Sequence, residues 1–233
     1  MANNKPSHET ALIVGAGEGL SAALARLFTK SEMRVALAAR KTDKLAALCA
    51  ETGARAYACD ASKRGDVESL FSAVARDLAA PDIVVFNASY RTRGPLVELD
   101  PVEVEKSLMI SCYGGFLVGQ SAARQMLNRG SGSILFTGAS ASVKGYVNSA
   151  PFAMSKFGLR GLAQSMAREL APKNIHVAHF VIDGGIERQG GDARGPDGML
   201  KPAAIAQSYL DLHRQHRSAW TWEIELRPWV ENF

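Results

Sequence analysis

Seven short β-type runs recur along the chain, and most are apolar throughout rather than alternating. They are Thr10–Val14, Arg34–Ala38, Ala54–Cys59, Ile83–Phe86, Ser133–Thr137, Ile175–Ile182 and Trp222–Leu226. Such runs need cover on both faces, and strand–helix repeats supply it around a parallel sheet. Between them, Leu20, Leu24, Leu27 and Phe28 share one helical face, as do Leu162, Met166 and Leu170. Asp100-Pro101-Val102-Glu103 reads as a helix start, with Asp100 as cap, Pro101 in the first turn and Glu103 reaching back to a free N–H. Leu170-Ala171-Pro172 reads as a helix end. The pattern predicts an α/β fold: a doubly wound, mainly parallel seven-stranded sheet with helices on both faces, in a single domain over residues 1–233. Trp222–Leu226 departs from the rule, because Glu223 and Glu225 alternate with apolar residues. It reads as a half-exposed edge strand or one that pairs across a subunit contact.

At 233 residues, 47% apolar and 21% charged, the chain has the composition of one globular domain. Unbroken apolar runs such as Ile83–Phe86 are far too short for a bilayer, which takes about 20 residues. The polar start, Met1–Thr10, has no signal-type segment, and residues 1–9 are expected to be flexible. The net charge of +4 is spread among interspersed Lys, Arg, Asp and Glu, and the densest basic cluster, His213–Arg217, is short. Neither a nucleic-acid nor a membrane partner is expected. Cys49, Cys59 and Cys112 are odd in number and lack Cys-x-x-Cys spacing, so buried thiols in the reducing cytoplasm are expected, with no metal site.

Gly15-Ala16-Gly17-Glu18-Gly19-Leu20-Ser21 follows the first strand and opens the first helix. Glycines there permit a sharp turn and close approach to a pyrophosphate, which the free N–H groups of the helix start can bind. Gly15, Gly17, Glu18, Gly19 and Leu20 are therefore candidate cofactor-binding residues. An S-adenosylmethionine turn would also suit the glycines, but it usually wants an acidic residue just before them, and Leu12-Ile13-Val14 has none. Arg40-Lys41 follows the second strand, where a dinucleotide's adenosine ribose would lie. A carboxylate there suits a 2′-hydroxyl and an arginine suits a 2′-phosphate, so NADP(H) is favoured over NAD(H). Glu18 would oppose that phosphate if it pointed inward.

Together these segments resemble the short-chain dehydrogenase/reductase family, from about Thr10 to Phe233. The glycine turn resembles the family's Gly-x-x-x-Gly-x-Gly, with Ser21 in place of the last glycine. Asp60 stands where the family's aspartate contacts adenine, and Asn87-Ala88 stands in its Asn-Asn-Ala-Gly segment. Ile182-Asp183-Gly184 stands near its Pro-Gly. Phe152-Ala153-Met154-Ser155-Lys156 stands at its Tyr-x-x-x-Lys. The resemblance implies a Rossmann-type fold, a nicotinamide cofactor, and a lysine, Lys156, that binds the nicotinamide ribose and lowers the pKa of a catalytic tyrosine. Phe152 has no hydroxyl and cannot move a proton. The family's carbonyl-polarising serine falls on Ala139 without a gap, or on Ser140 with a one-residue slip, and its helix asparagine falls on Ser111. The expected catalytic positions are thus Ser111, Ser140, Phe152 and Lys156. Tyr146, Tyr90 and Tyr209 are other phenols that could substitute, with another group or water as the alternative proton donor.

Residues 184–200 hold Gly184, Gly185, Gly190, Gly191, Gly195 and Gly198 among several charges, which reads as a substrate lid. Trp220, Trp222 and Trp229 near the end suit a subunit interface, and the resemblance implies a homodimer or homotetramer. Two functions follow. One is an NAD(P)(H)-dependent oxidoreductase acting on a small-molecule carbonyl or alcohol substrate. The other is a catalytically impaired dinucleotide-binding protein, such as a redox sensor or an oligomer partner. Phe152 separates them.

Overall fold

The computed structural model describes residues 8–187, 195 and 197–232. Its strands are β1 (Thr10–Val14), β2 (Arg34–Ala39), β3 (Arg55–Ala58), β4 (Ile83–Phe86), β5 (Gly132–Thr137), β6 (Ile175–Ile182) and β7 (Glu223–Leu226). The helices are α1 (Leu20–Lys30), α2 (Ala46–Thr52), α3 (Arg64–Asp77), α4 (Pro101–Leu108), α5 (Gly114–Arg129), α6 (Ala150–Leu170) and α7 (Pro202–His213). The strands form one sheet in the order β3-β2-β1-β4-β5-β6-β7, and every neighbouring pair is parallel. The fold is a Rossmann-like α/β sheet, wholly rather than mainly parallel.

Apolar runs become two cores because successive strand side chains point to opposite faces. Ala11, Ile13, Ile83, Val85, Leu135 and Phe180 face one side, where α1 and α7 supply Leu24, Phe28, Ile205 and Leu210. Leu12, Val14, Val84, Phe86, Ile134 and Phe136 face the other, against Leu70 and Phe71 of α3, Leu117 and Val118 of α5 and Leu159 of α6. The chain builds outward from β1 to β3, then restarts at β4 on the other side of β1. That reversal opens a crevice at the carboxyl ends of β1 and β4, the usual ligand position in such sheets.

Both edges differ from the apolar pattern. Arg55, Ala56 and Ala58 of β3 are exposed, because an edge strand has one neighbour and thinner helix cover. β7 pairs only with β6, and its half-exposed character matches the sequence expectation. Asp100 caps α4 through a bond from the Val102 amide (2.9 Å). Glu103, however, does not reach back to the helix start. Its carboxylate takes the Tyr90 hydroxyl and the Lys106 ammonium instead, because charged and phenolic donors outcompete an amide already near solvent.

Glu223 is not a solvent-facing residue of β7. Arg160 of α6 grips it with two bonds of 2.6 and 2.8 Å, and the wholly buried His179 of β6 lies 3.1 Å from the same carboxylate. Burial drives the His179 pKa down to about 4; the nearby Glu223 carboxylate opposes this, while Lys156 and Arg160 reinforce it. The ring is therefore neutral at pH 7, and its Nδ1–H donates to Glu223. An unfolded chain would protonate His179 near pH 6.5, whereas the folded one resists until about pH 4. Stability is thus fully present above pH 6.5 and falls as pH drops toward 4, by about 3 kcal/mol from this group. Urea unfolding at pH 7 and pH 4.5 should show that loss, and His179→Gln should reduce the difference; an equal difference in the variant would refute this source.

Candidate active site

Gly15 is the corner of the site. Its φ is +89°, and its amide, with that of Ala16, donates to the Ala38 carbonyl at 2.9 Å each. The Asn87 amide donates to the Val14 carbonyl (2.8 Å), which brings the chain after β4 against this corner. A Cβ on Gly15 would lie 2.3 Å from the Ala88 nitrogen. Ser21 fastens the corner: its hydroxyl donates to the Gly15 carbonyl (3.2 Å) and accepts from the Asn87 side-chain amide (2.7 Å). The serine that replaces a glycine is thus a buckle between α1 and the end of β4, a role the sequence reading missed. Only its polarity at a buried position could have signalled it.

Helix α1 starts without a side-chain cap and without an acidic residue in its first turn. A Cβ at Gly17 or Gly19 would meet nothing within 4 Å. Uncapped N–H groups beside open space suit a phosphate oxygen.

Next to this corner lies a cavity of about 620 Å³ lined by Gly15, Ala16, Arg40, Lys41, Lys44, Asp60, Asn87, Ala88 and neighbouring residues. Of the sequence-expected cofactor residues, Gly15, Arg40, Asp60, Asn87 and Ala88 therefore meet at one cavity. Gly17, Glu18, Gly19, Leu20 and Lys156 do not line it: Leu20 turns into the core, Lys156 is buried, and Glu18 is exposed. Lys44 was missed, although the spacing of Arg40, Lys41 and Lys44 brings three cations to the end of β2. The Asp60 carboxyl is pushed up by burial but held lower overall by two bonds from Ser62 and by the charges of Lys63 and Arg40. A second cavity of about 240 Å³, against Trp220 and Trp222, is remote from the glycine corner.

The expected catalytic residues gather around the start of α6. Lys156 is 3% exposed, and its ammonium donates to the Thr137 carbonyl at 2.8 Å. Burial lowers its pKa to about 8. Phe152 lies one turn earlier on the same helix face, with its ring centroid 5.7 Å from the Lys156 nitrogen. Ser140 opens the turn after β5 and is half-buried. Ala139 has no hydroxyl, and that of Ser142 accepts from the Ala139 amide (3.1 Å). Ser111 sits in a π-helical turn, Met109–Tyr113. Its hydroxyl accepts from the Tyr90 amide (2.8 Å) and reaches the Tyr90 carbonyl (3.3 Å), clamping the loop after β4.

The substitute phenols differ sharply. Tyr209 is wholly buried, stacked on Phe180 at 3.6 Å and paired with the Thr137 hydroxyl at 2.8 Å. Burial raises its pKa, so it is no proton donor to a substrate. The Tyr90 hydroxyl is engaged by Glu103 and Lys106. Tyr146 is 45% exposed, beside Lys144. Lys144 in turn pairs with Asp183 at 3.6 Å, and the same carboxylate meets Arg227 at 3.2 Å. Much of the lid expected over residues 184–200 lies outside the described residues.

Residues 9–187 match the family model described as short chain dehydrogenase. The chain belongs to the short-chain dehydrogenase family. This short-chain dehydrogenase is 38% identical to one from Rhodopseudomonas palustris, whose crystal structure superposes with a TM-score of 0.85 over 96% of this chain and 100% of the other. A metagenomic short-chain oxidoreductase solved with NADP is 26% identical, with a TM-score of 0.84 over 95% of this chain and 98% of that one. Carbonyl reductase family member 4 of Xenopus tropicalis is 27% identical over 209 residues, covering 86% of this chain and 89% of the relative. Members of this family are NAD(P)-dependent oxidoreductases. Among the described residues no group of His, Cys, Asp and Glu could hold a metal, and no helix is long and apolar enough to cross a membrane.

Proposed function

We propose that the protein is an NAD(P)(H)-dependent oxidoreductase that transfers a hydride between the nicotinamide and a small carbonyl or alcohol, with NADP(H) preferred. The observation that carries this reading is the cavity where Gly15, Arg40, Asp60, Asn87 and Ala88 meet. The dinucleotide fits on the structure's own terms: a Cβ on Gly15 would destroy the corner, and the uncapped start of α1 faces open space. Gly15 and the first turn of α1 would hold the diphosphate. Arg40, with Lys41 and Lys44, would bind the 2′-phosphate. Glu18 is exposed and absent from the cavity lining, so it does not oppose that phosphate. Asp60, Asn87 and Ala88 would flank the adenosine side.

When bound, the cofactor supplies or accepts the hydride. Lys156 binds the nicotinamide ribose through a buried ammonium already aimed by Thr137. Ser140 orients the substrate oxygen, and Ser111 holds the loop after β4 in place. Phe152 stands at the family's tyrosine position, so a different group or water moves the proton. The protein acts in the cytoplasm, in keeping with free Cys49, Cys59 and Cys112. It also forms a homodimer or homotetramer, supported by exposed Tyr113, Phe116, Met154 and Phe157 on α5 and α6 and the turn before them; light scattering checks the mass.

The second reading, a catalytically impaired dinucleotide-binding protein, is favoured by Phe152 alone. Calorimetric titration with NADPH and NADH, followed by nicotinamide absorbance with a carbonyl panel, separates the two. The expected result is tighter NADPH binding, by tenfold or more, with measurable oxidation of NADPH. Binding without oxidation would favour the second reading, and no binding of either coenzyme would overturn both.

A further inference from the structure

We propose that Arg91 and Arg93, on the loop leaving β4, bind an anionic oxygen group of the substrate, a carboxylate or phosphate ester, above Phe152. This rests on the oxidoreductase reading and deepens it by naming a substrate class. The Arg91 guanidinium carbon lies 4.6 Å from the Phe152 ring centroid, and the Lys156 nitrogen lies 5.7 Å from the same centroid. An arginine and the active-site lysine therefore share one aromatic ring. Phenylalanine at position 152 keeps the π face on which a guanidinium rests, while adding no hydroxyl to compete for the guanidinium's donors.

Several other arginines are held by carboxylates. Arg160 grips Glu223, Arg26 grips Glu51, and Arg129 meets Asp82 and three carbonyls. No carboxylate among the described residues pairs with Arg91 or Arg93. Desolvation, and then the like charge of Arg93, make the Arg91 cation less comfortable than a free guanidinium. Arg91 and Arg93 are both exposed and close in sequence on this loop, free to meet an incoming anion, and the planar fork of five donors suits a carboxylate or phosphate.

The loop that carries them is fixed at both ends. Ser111 and Ser107 hold the backbone of Tyr90, and the Gly94 amide donates to the Asn148 carbonyl at 3.1 Å. The Ser107 hydroxyl also contacts Ser155 (3.0 Å) on the helix that bears Phe152 and Lys156. Arg91 is thereby presented on a braced segment, so less ordering is needed on binding. The sequence shows Arg91-Thr92-Arg93, but nothing in it places a guanidinium over residue 152.

The test compares matched substrates: acetoacetate with its methyl ester, and dihydroxyacetone phosphate with dihydroxyacetone. With NADPH, at least one anion should exceed its neutral partner tenfold or more in kcat/KM. Arg91→Met should cut that anion/neutral ratio at least tenfold, and Arg91→Lys should restore part of it. Fold damage would lower both members of a pair and leave the ratio intact. If turnover is slow, calorimetric binding of the same pairs to the NADPH-loaded protein gives the same ratio. A wild-type ratio near one in both pairs, or an unchanged ratio in Arg91→Met, would overturn the anion seat while intact NADPH binding left the oxidoreductase reading standing. Absent NADPH binding in the wild type would overturn both.

Discussion

Phe152→Tyr is expected to raise reductase turnover on simple carbonyls by 10²-fold or more. A positioned acid/base group contributes about 10²–10⁴-fold, equivalent to about 3–5 kcal/mol of barrier. The surroundings for a phenol are already built: Lys156 is on the same helix face, 5.7 Å from the ring centroid, and a cation near a phenol favours its ionised form. The ring itself is kept, so Arg91 retains its platform. The hydroxyl is small and enters a half-buried position, so little loss of stability is expected. Steady-state NADPH oxidation by variant and wild type is the measurement. Equal rates in a wild-type protein that is already fast would show that the proton comes efficiently from elsewhere and that position 152 has been misread.

Gly15→Ala is expected to lower stability by about 3 kcal/mol and to weaken NADPH binding at least tenfold. The added Cβ would meet three main-chain atoms, Ala88 N at 2.3 Å, Ala88 Cα at 2.4 Å and Asn87 C at 2.7 Å, and a backbone cannot rotate out of the way as a side chain can. Overpacking of this kind costs about 1–3 kcal/mol, and the left-handed φ of +89° adds roughly 1 kcal/mol for a residue with a Cβ. Relief requires β1 and β4 to part at their carboxyl ends, where the cavity proposed for the cofactor lies. Gly17→Ala is the control, since its Cβ would meet nothing within 4 Å. Urea unfolding of the two variants should differ by about 2 kcal/mol or more; indistinguishable curves would mean the corner yields more easily than its packing implies.

Much of this molecule is legible without coordinates, for a simple physical reason. Strands covered on both faces are built mostly of apolar residues, so β1, β4 and β6 announce themselves and fall on their expected residues. The turn at Gly15 is legible too, because few residues other than glycine tolerate its φ. Composition and spacing thus determined a parallel α/β sheet, a sharp glycine corner after the first strand, and the pairing of positions 152 and 156 on one helical face. Tertiary structure alone decided the rest, since each remaining feature joins residues far apart in sequence. Glu223 looked like solvent-facing alternation until Arg160 and His179 closed on it from another helix and strand. Tyr209 looked available until it stacked in the core, and Ser21 looked like a lost glycine until it met Asn87. Local pattern records which face of an element is covered, but the partner a polar group finds across the fold depends on where the chain returns, which no window of neighbours contains.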